Sequence, residues 1–198
     1  MTGRKFRKSL LKAIPIETER LLIRYIEPTD AEDMFEYSSL DEVCEYLLWC
    51  PHLNIDVTKG YIEFLQKRYL RGLYGDWAVV IKSTGKMIGT CGFAAIDSHG
   101  RTCEIGYVLS PKYTGNGYMT EAVSAVLKLT FETLMLNSAH LRIINDNEKS
   151  KRLADRVGFK LERIGYSEMV IKDSKRDIAH FVMTSEMYNA IKTKNEAV

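Results

Sequence analysis

The sequence predicts an α+β domain with a central mixed sheet flanked by helices, and three observations predict it. Strand-like runs over 76–82, 87–96 and 102–109 are joined by links too short for anything but antiparallel neighbours, so the middle of the chain is a meander. A glycine loop then opens directly into a long helix with an apolar stripe. A further strand follows, and the helix between gives the crossover that a parallel pairing with the last meander strand needs.

The elements follow in order. Arg4, Lys5, Arg7, Lys8 and Lys12 accompany Phe6, Leu10, Leu11 and Ile14 at helical spacing, which reads as a solvated helix packed on the domain. A transit or membrane-surface segment is the alternative. Residues 21–26 read as the first strand, stopped by Pro28. Thr29-Asp30-Ala31-Glu32 and Ser39-Leu40-Asp41-Glu42 match the capping box, so two helices begin there, the second running to about Trp49. A third is expected over 58–70, with Ile62, Leu65 and Tyr69 on one face. After the meander, Val123, Val126, Leu127, Thr130, Phe131 and Leu134 trace one face of a helix over 116–136. A strand over 140–144, a short helix over 148–157 ended by Gly158, and strands over 159–166 and 178–184 complete the chain.

Composition narrows the function classes. The 198 residues, 45% hydrophobic and 27% charged, suit a single domain over 1–198 with its core at about 16–190. A formal net charge of +2 gives no argument for nucleic acid. No apolar run approaches the roughly 20 residues a membrane span requires. Cys44, Cys50, Cys91 and Cys103 form no CxxC pair, and no second ligand pair follows Cys50-Pro51-His52, so no metal is expected. Reduced thiols packed as small hydrophobes imply a reducing compartment and a cytoplasmic location.

The informative segment runs from Glu104-Ile105-Gly106-Tyr107 through Gly115-Asn116-Gly117 into Tyr118-Met119-Thr120. The first amides of a helix lack internal partners and carry partial positive charge, and glycines let a phosphate reach them. GxxxxGK[ST] is absent, and a dinucleotide fold would want GxGxxG after a leading βαβ unit. A plain glycine turn is the structural alternative.

Taken together, Glu104-Ile105-Gly106-Tyr107, this loop, and Asn147-Glu148-Lys149-Ser150 followed by Gly158-Phe159 resemble the GNAT acetyltransferase superfamily. Within it the pattern is most similar to the Rim-type ribosomal-protein-alanine N-acetyltransferases. Thr18 to Arg24 with Asp30-Ala31 resemble that subfamily's opening, and Asp177 leading to Phe181-Val182-Met183-Thr184 its close. The resemblance covers about 16–190 and implies a GNAT-like fold. It implies acetyl-CoA as donor, a primary amine as acceptor, and a homodimer as a candidate assembly. Tyr107, Val108 and Leu109 would offer backbone to the pantetheine arm. The amides of Thr114, Gly115, Asn116, Gly117, Tyr118, Met119 and Thr120 would take the pyrophosphate. Asn147 and Ser150 match the family's N-x-x-S signature, on the cofactor arm and the leaving thiolate, with an N-cap as the alternative role for Asn147. Thr114 and Asn116 stand where family loops usually carry Arg, Lys or Gln, and Met119 where Ala or Gly is usual. Backbone amides and Lys112 would then meet the phosphates.

Acetyl transfer needs a neutral amine, and a carboxylate can take the ammonium proton directly or through water. Glu104 shares a strand face with Gly106 and Val108, and Glu168 is the second candidate. A solvated surface carboxylate is the plain alternative for each. The acceptor pocket would be built from the helices over 41–49 and 58–70 and the closing strands, with Trp49, Tyr61 and Tyr166 as lining or as core. A protein N-terminal α-amine is the acceptor the subfamily resemblance suggests. A polyamine, an aminoglycoside or another small amine is the second reading, and an acyl-CoA-binding module without turnover the third.

Overall fold

The computed structural model describes residues 9–97, 99 and 101–196. The basic cluster of Arg4, Lys5, Arg7 and Lys8, with Phe6, lies outside them. Residues 9–12 are helical, and Leu10 and Ile14 are buried against the domain.

Eight strands form one sheet: β1 (Ile16–Glu17), β2 (Leu21–Arg24), β3 (Asp76–Ile81), β4 (Met87–Asp97), β5 (Thr102–Leu109), β6 (Ser138–Ile144), β7 (Lys160–Ile171) and β8 (Ser174–Thr184). Their order is β1-β2-β3-β4-β5-β6-β8-β7. The β5–β6 pair is parallel and every other neighbouring pair antiparallel, as the meander and crossover predict. Besides the turn over residues 9–12, six α-helices accompany the sheet among the described residues: α1 (Ala31–Ser38), α2 (Asp41–Cys44), α3 (Ile55–Leu70), α4 (Tyr118–Lys128), α5 (Glu148–Val157) and α6 (Ser185–Glu196). The core is continuous across the meander, with Trp77 and Phe93 in edge-to-face contact at 5.3 Å. Burying each such side chain stabilises the fold by about 1.5–3 kcal/mol.

Some boundaries differ from expectation for identifiable reasons. The helix expected to begin at Thr29 starts at Ala31, after a 3-10 turn over Pro28–Asp30. Asp30 is drawn into a two-point pair with Arg24, at 2.7 Å on both oxygens, and also accepts the Glu27 amide. The helix expected over 41–49 is the single turn of α2. Beyond it, residues 45–50 bury no side chain that could hold a helix to the core, and Leu48 is exposed. In α3 the start moves back to Ile55 because Asn54 caps it, accepting the amides of Asp56 and Val57. The long helix begins at Tyr118 rather than 116 and passes into a π turn over Leu129–Thr133. The closing strands extend into a hairpin at Lys172-Asp173, and neither β1 nor α6 was expected.

Candidate active site

The parallel pairing of β5 with β6 is short. It joins Thr102, Cys103 and Glu104 to Ser138, Ala139 and His140 and goes no further. Beyond Glu104 the two strands diverge, β6 staying with β8 and β5 with β4. The sheet therefore forks, and β5 from Ile105 to Leu109 presents an edge unpaired by any strand on that side. A bulge in β4 at Ala94, opposite the Glu104–Ile105 step, marks the fork's apex. Tyr107, Val108 and Leu109 all lie on the free edge.

The glycine loop continues from that edge. A 3-10 turn over Pro111–Tyr113 leads to Thr114, and Gly115 and Gly117 take positive φ of 83° and 77° before α4 begins. Side chains rarely adopt that conformation, which is the physical need for both glycines. A Cβ at Gly115 would meet nothing within 4 Å, and one at Gly117 would meet Arg20 Nη2 at 3.5 Å. The glycine turn is thus open where it enters the helix N-terminus, a form that fits a pyrophosphate, although the Thr114 amide is already bonded to the Pro111 carbonyl at 3.2 Å. Lys112 does not supply charge here: its ammonium is paired with Glu36 at 2.9 Å. Two cations reach the loop, and sequence reasoning missed both: Arg156, whose Nη1 donates to Thr120 Oγ1 at 3.2 Å, and Arg20. Arg20 Nη1 donates to the Asn116 carbonyl at 2.9 Å, its Nε pairs with Glu121 at 2.7 Å, and its guanidinium lies over the Tyr118 ring. No local pattern signals a contact across about a hundred residues.

Across the fork, Asn147 caps α5, its Oδ1 accepting the Ser150 amide at 3.1 Å. Ser150 Oγ lies 2.6 Å from Tyr107 Oη, which also reaches the Ser150 carbonyl at 3.4 Å, so the two walls meet here. Burial pushes the Tyr107 phenol up to about 12, against the Ser150 bond, so it keeps its proton. Met119 is buried in the core.

The two candidate carboxylates sit differently. Glu104 stands at the apex and is paired with Arg142 of β6 at 2.8 Å. Glu168 lies in the irregular stretch of β7, between Arg163 at 2.7 Å and His180 at 2.9 Å. The Arg163 and His180 bonds hold its carboxyl down at about 2, which suits an ion pair better than a proton acceptor.

On the Glu104–Gly106–Val108 face, a cavity of about 130 Å³ lies between α1, α3 and the sheet. Trp49 and Tyr61 line it, one of the two roles, lining or core, that the sequence left open. Tyr166 does not; it is 77% exposed on β7, belonging neither to the cavity nor to the core. Sequence reasoning did not place Tyr37, His52 or Asp76 in this pocket, and they line it together with Met34, Ser38, Thr90 and Val108. His52 Nδ1 is within hydrogen-bonding distance of Ser38 and Thr58, at 3.0 and 2.8 Å, and burial lowers its pKa, keeping it neutral. Asp76 is the signal that was available, a lone acid heading the apolar strand Trp77-Ala78-Val79-Val80-Ile81.

Fold and site together define an acetyltransferase. The chain belongs to the GNAT acetyltransferase family, whose domain model matches residues 20–160. An uncharacterised N-acetyltransferase of Bacillus licheniformis is 32% identical over 145 residues, covering 73% of this chain and 82% of that one. A putative ribosomal N-acetyltransferase of Bacillus subtilis is 25% identical, covering 82% and 90%. The crystal structure of a GNAT-family acetyltransferase from Bacillus anthracis superposes with a TM-score of 0.79 at 25% identity, covering 87% of this chain and 99% of that one. These comparisons support the Rim-like resemblance, and acetyl-CoA is the donor that GNAT acetyltransferases use. Among the described residues no helix is long and apolar enough to cross a membrane.

Proposed function

We propose that this chain is a single cytoplasmic domain that transfers an acetyl group from acetyl-CoA to a primary amine. The observation that carries the reading is the free edge of β5 running straight into the open glycine turn at the start of α4. Acetyl-CoA supplies the activated thioester. The amides from Gly115 to Thr120 take the pyrophosphate, while Tyr107, Val108 and Leu109 offer main-chain partners to the pantetheine arm. Asn147 orients Ser150, and Ser150 with Tyr107 places hydroxyl protons where the departing sulfur needs them. As the amine nitrogen bonds to the thioester carbon, the C–S bond breaks and the sulfur leaves as thiolate. The proton lost by the amine passes to Glu104 or to water. Glu168, locked between Arg163 and His180, is the weaker candidate.

For the acceptor, the resemblance and the ribosomal relative support a protein N-terminal α-amine. The small cavity beside Val108, about 130 Å³, favours the second reading, a small amine. Mass spectrometry on a panel of peptides and small amines with acetyl-CoA tests both. Transfer to no amine, with acetyl-CoA still bound, would make the chain a binding module.

A further inference from the structure

The cavity crosses three strands, with Asp76 on β3, Thr90 on β4 and Val108 on β5, and four aromatic rings wall it: Tyr37, Trp49, His52 and Tyr61. We infer that it is a cation subsite, in which Asp76 holds an ammonium group other than the one acetylated, so that the preferred acceptors are slender diamines. The inference rests on the acetyl-transfer reading and deepens its small-amine form.

Asp76 is the one charged residue in the lining. Tyr61 donates to its Oδ2 at 2.6 Å, and among the described residues no other donor reaches the carboxylate. The nearby guanidinium of Arg68 is engaged elsewhere, with Nε on the Tyr74 carbonyl and its charge over the Phe64 and Tyr74 rings. A half-buried carboxylate without a close cation is partly desolvated at a cost, and a bound ammonium would offset it. Burial raises the Asp76 pKa, against the Tyr61 bond and the Arg68 charge, in keeping with a group that lacks its counter-ion.

A second, independent observation is Tyr37. Tyr37 lines the cavity, and its hydroxyl, buried behind that wall, has no hydrogen-bond partner among the described residues. Such an orphan calls for a ligand group, and an ammonium has donors to spare beyond the one given to Asp76. The aromatic faces add cation–π attraction, and neutral His52 adds no opposing charge.

Size and spacing select the acceptor. The cavity is close to the volume that holds a benzene-sized molecule, about 150 Å³, so a bulky polyhydroxylated ring system does not fit. Two strand spacings separate β3 from β5, about 9.5 Å, of which the ammonium–carboxylate hydrogen bond takes about 2.8 Å. The remaining reach, about 7 Å, is that of a chain of roughly four or five methylenes between two nitrogens.

The test compares butylamine with diaminobutane on the whole chain. The diamine is expected to have at least a tenfold higher kcat/KM, and Asp76→Asn to bring the two within about twofold without changing acetyl-CoA affinity. Equal use of both amines by the native chain overturns the inference, as does an undiminished diamine preference in Asp76→Asn. Should Asp76→Asn fail to fold, Trp49→Leu, at a half-exposed wall, must cut the diamine preference at least about threefold; an unchanged preference overturns the inference. Calorimetry of diaminobutane binding in the presence of CoA separates this inference from the reading it rests on. If neither amine is acetylated, the transferase reading fails, yet saturable binding that Asp76→Asn abolishes upholds the subsite. Absence of binding overturns it.

Discussion

Tyr107 of β5 and Ser150 of α5 bridge the fork, their side-chain oxygens 2.6 Å apart and the Tyr107 hydroxyl 3.4 Å from the Ser150 carbonyl. Neither residue is near the other in sequence, and the fork would otherwise be open between β5 and the start of α5. If they act as one unit on the departing sulfur, Tyr107→Phe and Ser150→Ala should each lower kcat roughly tenfold, the value of one hydrogen bond of about 1.4 kcal/mol. The double variant should then be little worse than either single one. Steady-state kinetics decide: strictly multiplicative losses would mean that the two hydroxyls work separately.

Donor identity can be read from stability. A ligand at 100 times its dissociation constant adds about 2.7 kcal/mol, which raises the melting temperature of a domain this size by about 5–10 °C. Acetyl-CoA is expected to produce that rise and NAD none. A melting scan showing the reverse would refute the assignment of the loop.

Gly117 offers a sharper probe of the same loop. Its φ of 77° lies where a branched side chain is strained by about 1–2 kcal/mol, while the space around it is open except for Arg20 Nη2 at 3.5 Å. Gly117→Val should therefore fold, melt a few degrees lower, and lose most of its affinity for acetyl-CoA. Calorimetry reads the affinity. A folded variant that binds normally would reduce the loop to a turn.

How far the sequence foretold these features depends on how local their causes are. The span of β5 was legible because Pro111 and the glycines bound it, and that of α5 because Asn147 caps it and Gly158 ends it. The helix expected over 41–49 failed because the capping pattern at Ser39 says nothing about burial, and past Cys44 there is none. For another reason Arg20's place at the loop was out of reach, and Asp76, conspicuous as a lone acid heading an apolar strand, gave no hint of its setting. Their partners, Glu121 and Tyr61, are supplied by other elements, and only the assembled sheet brings them together.

Glu168 gives a pH test whose sign can be worked out. Its folded pKa is depressed to about 2 by Arg163 and His180, below the unfolded value near 4.3. The pairing thus contributes stability in full above about pH 4.3 and loses it as pH falls toward 2. Glu168→Gln should accordingly differ most from the native chain at neutral pH and converge with it in acid. Because these groups are solvent-accessible, the difference will be small and salt-sensitive. Denaturant melts across that window are the check, and a gap that widens in acid would contradict the pairing.

The last prediction concerns Glu104, at the apex of the fork. If its carboxylate takes the proton of the attacking amine, Glu104→Gln should lower kcat by roughly 100- to 10,000-fold, with acetyl-CoA affinity nearly unchanged. Gln keeps the shape and the hydrogen-bonding capacity but not the basicity. It also breaks the pair with Arg142, at 2.8 Å, so the lost activity could come from a misplaced arginine. Arg142→Gln supplies the control. Both side chains are partly exposed, so either variant should cost no more than about 1 kcal/mol of stability. Basicity predicts that Arg142→Gln stays far more active than Glu104→Gln, and that raising the pH partly rescues the latter as more amine arrives neutral. Equal losses without rescue would make the ion pair itself the requirement, a positioning role for both. If Glu104→Gln keeps its activity while Glu168→Gln loses it, the base is on β7. Should both remain active, water takes the proton and the fork contributes geometry alone.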